Sequence, residues 1–239
     1  MDLSKISLED IETGILKRSF PSASIGLQSD MARQKYDSNL QLLSSDLQRI
    51  VSRIELHPIH REHDSEDRTS VEIVNGLRLL NHTAEHEASY GGNCDICVNE
   101  DDKFIWLGEA KIDYNNTHIM EGFRQLSDRY ANGDIRDGGL LIYCKNDTPQ
   151  KVLASWKKYL ENKDNRSSEY GLTFTEDTGR NYFVTEHLNR STGVIFTVKH
   201  MVISLFDAAT DKSARKKKKC SHSCEQCCPT VAPANDASI

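Results

Sequence analysis

Three ionisable residues, Asp95, Glu109 and Lys111, lie on two neighbouring segments that are predicted to be β-strands. Side chains alternate between the two faces along a strand, so Glu109 and Lys111 share one face. If the polar turn between the strands centres near Asp101, Asp95 lies opposite Leu107 and one diagonal step from Glu109. A register two residues longer places Asp95 directly opposite Glu109. In either register the three side chains converge.

Two carboxylates and an ammonium group on one strand pair are costly to bury unless they bind an ion or pair with one another. Neighbouring carboxylates repel, and a divalent cation, which prefers oxygen ligands, relieves that repulsion. Lys111 beside such a cation could position or help to deprotonate a water, or stabilise charge on a pentavalent phosphate. These residue types suit metal-assisted hydrolysis of a phosphodiester. The alternative is a surface hairpin with one ion pair.

The elements that must position these residues follow from hydrophobic periodicity and turn signals. A helix is predicted at 70–80, with Thr69-x-x-Glu72 as its capping box. The remaining elements are strands at 84–90, 93–98 and 104–112, a helix at 117–130, a buried strand at 140–144, a helix at 148–162, and strands at 180–186 and 193–205. This order predicts a mixed α/β fold in which the strands at 104–112 and 140–144 are parallel and joined by a right-handed crossover.

Asp95, followed by Glu109-Ala110-Lys111 at the end of an apolar strand, resembles the signature of the PD-(D/E)XK nuclease superfamily. The restriction-endonuclease-like core of that superfamily is a helix, a three-stranded meander, a crossover helix and a fourth strand. The predicted elements of residues 70–145 have the same order. The motif is short, and Cys94 stands where the family has a proline.

The resemblance implies a metal-dependent nuclease that acts on DNA. Asp95 and Glu109 would hold Mg²⁺ or Mn²⁺, and Lys111 would serve the attacking water. A glutamate on the first helix often completes the metal site in the family, and Glu72 matches that position. The alternative for Glu72 is a capping role only. A Gln or Tyr on the crossover helix often supports the family's site, and Gln125 and Tyr130 fall there.

Several nearby residues have a competing structural interpretation. Gln125 could be an ordinary exposed helix residue, and His118 could assist water activation or simply lie on the surface. Glu85 and Glu87 are further candidate ligands, but they fit solvent-facing positions of an edge strand. The Cys94-x-x-Cys97 pair is predicted to point to opposite faces of its strand, which favours two small core residues over a redox or zinc pair.

Charge and composition divide the chain of 239 residues into three segments. Residues 1–56 carry a net charge of −1 and are predicted to form a helical extension, with an amphipathic helix at 29–55. Residues 57–210 carry −8 and form the predicted nuclease domain, and residues 211–239 carry +3 and read as a disordered, cysteine-rich tail. The 29–55 helix either packs on the main domain or contacts a partner or a second copy.

The tail and a histidine-rich loop are weaker candidates for metal binding. A zinc site through Cys220, Cys224, Cys227 and His222 is conceivable, although the spacing is compressed for a zinc finger. The basic run at 215–219 could add affinity for a nucleic-acid backbone. His57, His60 and His63 lack matching cysteine ligands, which favours a solvated loop.

Composition and context complete the predictions. The chain has no apolar run long enough to span a membrane and no signal peptide, and its odd number of cysteines indicates a reducing compartment, so we expect a cytoplasmic protein. The resemblance implies an effector or subunit in bacterial anti-phage defence, controlled by a partner such as a helicase or ATPase or by oligomerisation. The alternatives are a catalytically silent binding module of the same fold and an enzyme that cleaves RNA.

Overall fold

The computed structural model describes residues 21–61, 63–100, 103–130 and 135–207, except the side chains of residues 21–29 and 166. These residues belong to one compact unit, Met1–Asp207. The helices are α1 (Pro21–Ile54), α2 (Glu66–Leu79), α3 (Asn116–Arg124), which continues as a π-helix (Gln125–Tyr130), and α4 (Pro149–Glu161). The strands are β1 (Ala84–Ser89), β2 (Asn93–Glu100), β3 (Phe104–Ile112), β4 (Asp137–Cys144), β5 (Thr173–Gly179), β6 (Tyr182–Leu188) and β7 (Ile195–Ser204). Short 3₁₀ helices occur at Pro58–His60 and Arg166–Tyr170.

The strands form one seven-stranded mixed sheet in the order β1-β2-β3-β4-β7-β6-β5. Its centre is parallel, because β4 pairs parallel with both β3 and β7. Each side is an antiparallel meander, β1-β2-β3 on one side and β7-β6-β5 on the other. The predicted α/β fold with a mixed sheet is confirmed, and so is the parallel pairing of β3 with β4.

Helices cover both faces of the sheet, so the central strands are largely buried on both sides, and β4 contains the continuous apolar run at 140–144. On one face, α3 and α4 contribute Phe123 and Trp156 to a core with Leu107 and Leu140. On the other face lie α1 and α2. The apolar stripe of α1 packs into that second core, where its buried residues are Leu43, Leu47, Ile50, Val51 and Ile54. The helix predicted at 29–55 therefore packs on the sheet.

Apart from shifts of one to three residues at other element ends, three elements differ from the predictions. Helix α1 is already helical at Pro21, the first described residue, ahead of the predicted start at Ser29. Strand β5 was not predicted, because this edge strand is polar and mostly exposed and lacks an apolar alternation.

No helix among the described residues combines the length and hydropathy that crossing a membrane requires.

The third difference concerns the start of α2, and it matters for the site. The N-cap is Ser65, whose side chain accepts a hydrogen bond from the backbone N–H of Arg68. The prediction that Thr69 caps this helix is wrong, because Thr69 lies inside the helix and its hydroxyl donates to the carbonyl of Ser65. Glu66 therefore occupies the first turn, where a carboxylate interacts favourably with the helix dipole.

Two histidines are buried in the core under α3 and α4. His200 accepts a hydrogen bond at Nδ1 from the indole N–H of Trp156, and its Nε2 lies 2.8 Å from the hydroxyl of Thr185. His187 has no hydrogen-bond partner for either ring nitrogen among the described residues. It packs against the aromatic rings of Phe123, Tyr170 and Phe196. Burial lowers the pKa of His187 to about 4 and that of His200 to about 3.

The His187→Phe variant should lose less stability than the wild type when the pH falls from 7 to 5. The folded pKa lies below the unfolded value of about 6.5, so the stability associated with the neutral ring is present above that value and is lost as the pH falls. For one histidine the loss at pH 5 is roughly 2 kcal/mol. Urea unfolding at both pH values measures it, with exposed His60→Phe as the control. An unchanged pH dependence in His187→Phe would contradict the prediction.

Candidate active site

The register of β2 and β3 places Asp95 beside Glu109. Ile96 pairs with Gly108, so the same register extended by one residue puts Asp95 across from Glu109. This is the longer of the two predicted registers. The β2–β3 ladder ends at the pair Ile96–Gly108. The backbone N–H of Ala110 donates instead to Asp95 Oδ2 at 2.7 Å. The Asp95 carboxylate is thereby fixed at the end of the strand pair.

Glu109 and Lys111 form a buried ion pair on β3. The Lys111 ammonium donates to Glu109 Oε1 at 2.7 Å and to the carbonyl of Ala110 at 3.0 Å. Glu109 is only 2% exposed and Lys111 9%, so solvent screens the pair weakly. Glu109 Oε2 is buried and has no hydrogen-bond partner among the described residues. This oxygen is an acceptor without a donor in the middle of the site.

The electrostatics of the site follow from that burial. Burial, and then the charge of Asp95, raise the pKa of Glu109 to about 7. Burial also raises the pKa of Asp95, although the hydrogen bond from Ala110 and the charge of Lys111 act against it. Burial lowers the pKa of Lys111, but attraction to Glu109 outweighs this and the net shift is upward. Lys111 therefore remains an ammonium, and the site retains an excess of negative charge.

A third carboxylate, Glu66, reaches the same site from the first turn of α2. Its Oε1 accepts a hydrogen bond from the backbone N–H of Ile112 at 2.7 Å and lies 3.1 Å from His118 Nε2. Its Oε2 lies 3.9 Å from the Lys111 ammonium. Glu66 was not among the predicted site residues, although Ser65-Glu66-Asp67 is a typical N-cap followed by first-turn acids. We call Glu66, Asp95, Glu109 and Lys111 the carboxylate–lysine cluster.

Glu72 is not brought to this cluster. Its carboxylate forms a bidentate ion pair with Arg61, with N–O distances of 2.5 and 2.7 Å. The hydrogen bond from Arg61 lowers the pKa of Glu72, and the Glu72 side chain is 43% exposed. Glu72 lies six residues after Glu66 on α2, which corresponds to about 9 Å along the helix axis and a different face.

Helix α3 packs directly against the cluster at Gly122. A Cβ atom at this position would lie 2.6 Å from Lys111 Cγ and 3.3 Å from Glu109 Cγ. The side chain of Asn115 caps the helix by accepting from the backbone N–H of His118. The stems of Glu109 and Lys111 are thus held between their strand and a helix backbone, and only glycine permits so close an approach. Periodicity alone did not reveal this role.

The π-helix that follows α3 positions Gln125 and Tyr130. A π-helix has backbone hydrogen bonds between residues five apart, and Gln125 and Tyr130 have this separation. The Tyr130 hydroxyl donates to the carbonyl of Asn93, two residues before Asp95. Burial, and then the charge of Glu109, raise the pKa of Tyr130 to about 12. Gln125 Oε1 is buried without a partner among the described residues.

Cys94 and Cys97 lie in the same hydrophobic core, and the prediction that they point to opposite faces is wrong. The regular alternation fails because β1 has Glu87 at a φ of 56°, across from Asp95, and the β2–β3 ladder ends there. Both thiols are free and buried, and that of Cys94 donates to the carbonyl of Ala88. Glu85 and Glu87 are exposed on the edge strand β1.

The donor set suits a cation that is held partly by the protein and partly by water. No three His, Cys, Asp or Glu side chains form a ready metal cage in the part of the chain that the structure describes. Mg²⁺ commonly uses only one or two carboxylates together with water and substrate oxygens. Asp95 and Glu109, with the unpartnered Oε2, fit that arrangement. The tail residues Cys220, His222, Cys224 and Cys227 and the basic run at 215–219 lie outside the described residues.

Comparison of the chain with protein-family models, with curated proteins and with solved structures finds no match. The activity must therefore be inferred from the residues and contacts of the carboxylate–lysine cluster itself.

Gly122→Ala should destabilise the protein, although alanine normally stabilises a helix relative to glycine. The new methyl group would collide with Lys111 Cγ, and such overpacking typically costs about 1–3 kcal/mol. Urea unfolding measures the change in the free energy of unfolding. The exposed neighbour Glu121→Ala is the control and should change it by less than about 0.5 kcal/mol. A gain in stability for Gly122→Ala would show that α3 does not press on Lys111.

Proposed function

We propose that this chain is a metal-dependent nuclease that hydrolyses DNA phosphodiester bonds, with Mg²⁺ or Mn²⁺ bound by Asp95 and Glu109. The observation that carries the proposal is the buried Oε2 of Glu109, which has no partner in the described part of the chain and lies beside the carboxylate of Asp95 on the neighbouring strand. Burying such an acceptor is unfavourable for folding alone, and a cation would satisfy it. Three carboxylates against one ammonium leave the charge that a divalent ion would balance.

The architecture around the cluster supports a restriction-endonuclease-like core. Helix α2 precedes the antiparallel strands β1, β2 and β3, and α3 then leads into the parallel strand β4. This order matches that of the superfamily which Asp95 and Glu109-Ala110-Lys111 resemble. The proposed roles are therefore supported by a motif and by the elements that carry it.

The residues of the cluster divide the work in the proposed reaction. A bound divalent cation would supply Lewis-acid activation of water and of the scissile phosphate. Lys111, which stays charged, is suited to orient the attacking water and to stabilise negative charge on the phosphate rather than to abstract a proton. Glu66 accepts from Ile112 at the end of β3 and attracts the Lys111 ammonium, so it positions Lys111. Glu66, and not Glu72, is therefore the glutamate of the first helix that reaches the site.

Control by a partner is part of the proposal, in the setting of bacterial anti-phage defence. The segment 57–210 carries a net charge of −8, which repels a nucleic-acid backbone and makes unaided binding weak. A helicase or ATPase that delivers DNA would overcome this. The apolar stripe of α1 is already buried against the sheet, so a partner or a second copy would have to contact another surface.

Cleavage of plasmid DNA with Mg²⁺ or Mn²⁺ tests the proposal through a matched pair of glutamates. Asp95→Asn and Lys111→Met should each reduce the rate by about 100-fold or more, since each removes a group acting on the reacting atoms. Glu66→Gln should reduce it by about tenfold or more, as loss of a positioning residue does. Glu72→Gln, which breaks only a partly exposed ion pair, should remain within about twofold of wild type.

The same assay separates the alternatives. Wild-type protein that cleaves no DNA or RNA, alone or with a helicase or ATPase encoded beside it, would favour a binding module of the same fold. Cleavage of RNA alone would identify a ribonuclease. Full activity in both Asp95→Asn and Lys111→Met would mean that the site is assigned to the wrong residues.

Metal binding has a readout that does not depend on cleavage. A cation at about ten times its Kd stabilises the folded state by about 1.4 kcal/mol, which raises the Tm of a domain of this size by about 3–5 °C. We expect Mn²⁺ to raise the Tm of the wild type and of Glu72→Gln, and to leave that of Asp95→Asn nearly unchanged. An equal rise in all three proteins would place the cation elsewhere.

A further inference from the structure

A cavity of about 130 Å³ lies between α1 and the sheet, in the second core, on the face away from α3 and Gly122. Leu43 and Leu47 of α1 form one wall, and Trp106 and Met201 of the sheet form the other. An apolar cavity of about 150 Å³ is large enough to hold benzene. The volume therefore suits the apolar body of a small organic molecule.

The floor of the cavity depends on a glycine. A Cβ atom at Gly139 of β4 would lie 2.4 Å from Cζ2 of Trp106. The indole therefore lies over the glycine backbone and presents an aromatic surface beside the cavity. Aromatic and aliphatic surface with a few convergent polar groups is the usual lining of a small-molecule site.

Lys199 of β7 is the cationic side chain of the lining. Its ammonium donates to the Ser44 hydroxyl at 2.8 Å and lies 4.1 Å from the centre of the Tyr182 ring. No acidic oxygen lies within ion-pair distance of it among the described residues, and Asp177 attracts it only from farther away. Burial lowers the pKa of Lys199, which reflects the cost of holding this charge without a close counter-ion.

Two carboxylates in the lining, those of Asp137 and Asp177, limit the charge of an occupant. Asp137 of β4 also lines the cavity, two residues before Gly139, and its Oδ2 accepts a hydrogen bond from the hydroxyl of Tyr36. A ligand with one acidic group can place it on Lys199. A second negative charge would approach Asp137 and be repelled.

We propose that this cavity binds a small organic monoanion, with its acidic group on Lys199 and its apolar body between Trp106 and Leu43. This site lies outside the carboxylate–lysine cluster and does not depend on the nuclease activity. The ammonium of Lys199 has three donors, of which Ser44 accepts one, so donors remain for a carboxylate. Such a charge-assisted hydrogen bond to a partly buried ammonium favours an anion over a neutral ligand of the same shape.

Titration of the full chain with four matched probes, followed by ¹H–¹⁵N NMR without metal or nucleic acid, tests the proposal. The probes are phenylacetate, its neutral amide phenylacetamide, the cation phenethylamine and the dianion phenylmalonate. Phenylacetate should bind with a Kd of about 1 mM or below and shift the amide signals of residues around Leu43, Gly139 and Lys199. The other three should bind at least about tenfold more weakly.

Lys199→Met keeps the length of the side chain and removes the charge, so it should abolish the preference for phenylacetate over phenylacetamide. Lys158→Met, at an exposed position of α4, is the matched control and should keep the preference. Equal binding of the four probes to the wild type, or no binding at about 10 mM, would overturn the proposal without any variant. Shifts confined to residues of the carboxylate–lysine cluster would also overturn it.

Discussion

Strand β3 is buried on both faces, yet two of its nine residues are the charged pair Glu109 and Lys111. Burying such a pair costs desolvation free energy, which mutual attraction offsets only when the remaining donors and acceptors are also satisfied. Lys111 satisfies part of its capacity through Glu109 and the Ala110 carbonyl. Glu109 keeps one oxygen without a partner among the described residues. This local deficit is the constraint around which the neighbouring elements are arranged.

Each neighbouring element approaches β3 in a way that serves this pair. Strand β2 stops pairing with β3 at Ile96, which leaves the backbone N–H of Ala110 free to donate to the Asp95 carboxylate. Helix α2 begins at Glu66, so its first-turn carboxylate meets the backbone at the end of β3. Helix α3 presents the backbone of Gly122 rather than a side chain. The end of a strand ladder, the first turn of a helix and a close glycine contact therefore meet at one point. Such a convergence is typical of a functional site rather than of a core built only for stability.

The order of the elements in the β1–β4 region and the convergence of Asp95, Glu109 and Lys111 could be predicted, because both depend on local alternation and turn signals. The register could only be narrowed to two choices, since it depends on the hairpin turn rather than on either strand. Glu66 was missed because Thr69-x-x-Glu72 and Ser65 both match an N-cap pattern, and only packing selects between them. Gly122 and the shared side of Cys94 and Cys97 depend on contacts across the fold and on one left-handed residue, which periodicity does not encode.

The carboxylate–lysine cluster accounts for only part of the negative charge of residues 57–210. The carboxylate–lysine cluster holds three acids and one base, so a divalent cation would bring the cluster close to neutrality. The remaining negative charge, out of a net −8 for residues 57–210, lies outside the cluster and would still repel DNA. Under the proposed function, the groups for catalysis and the affinity for DNA therefore come from different places. The cluster would supply the catalytic groups, and a partner or another part of the chain would supply the affinity for DNA. Under the proposed function, an enzyme that repels DNA would cleave only where DNA is delivered to it, and other DNA would be protected from indiscriminate cleavage.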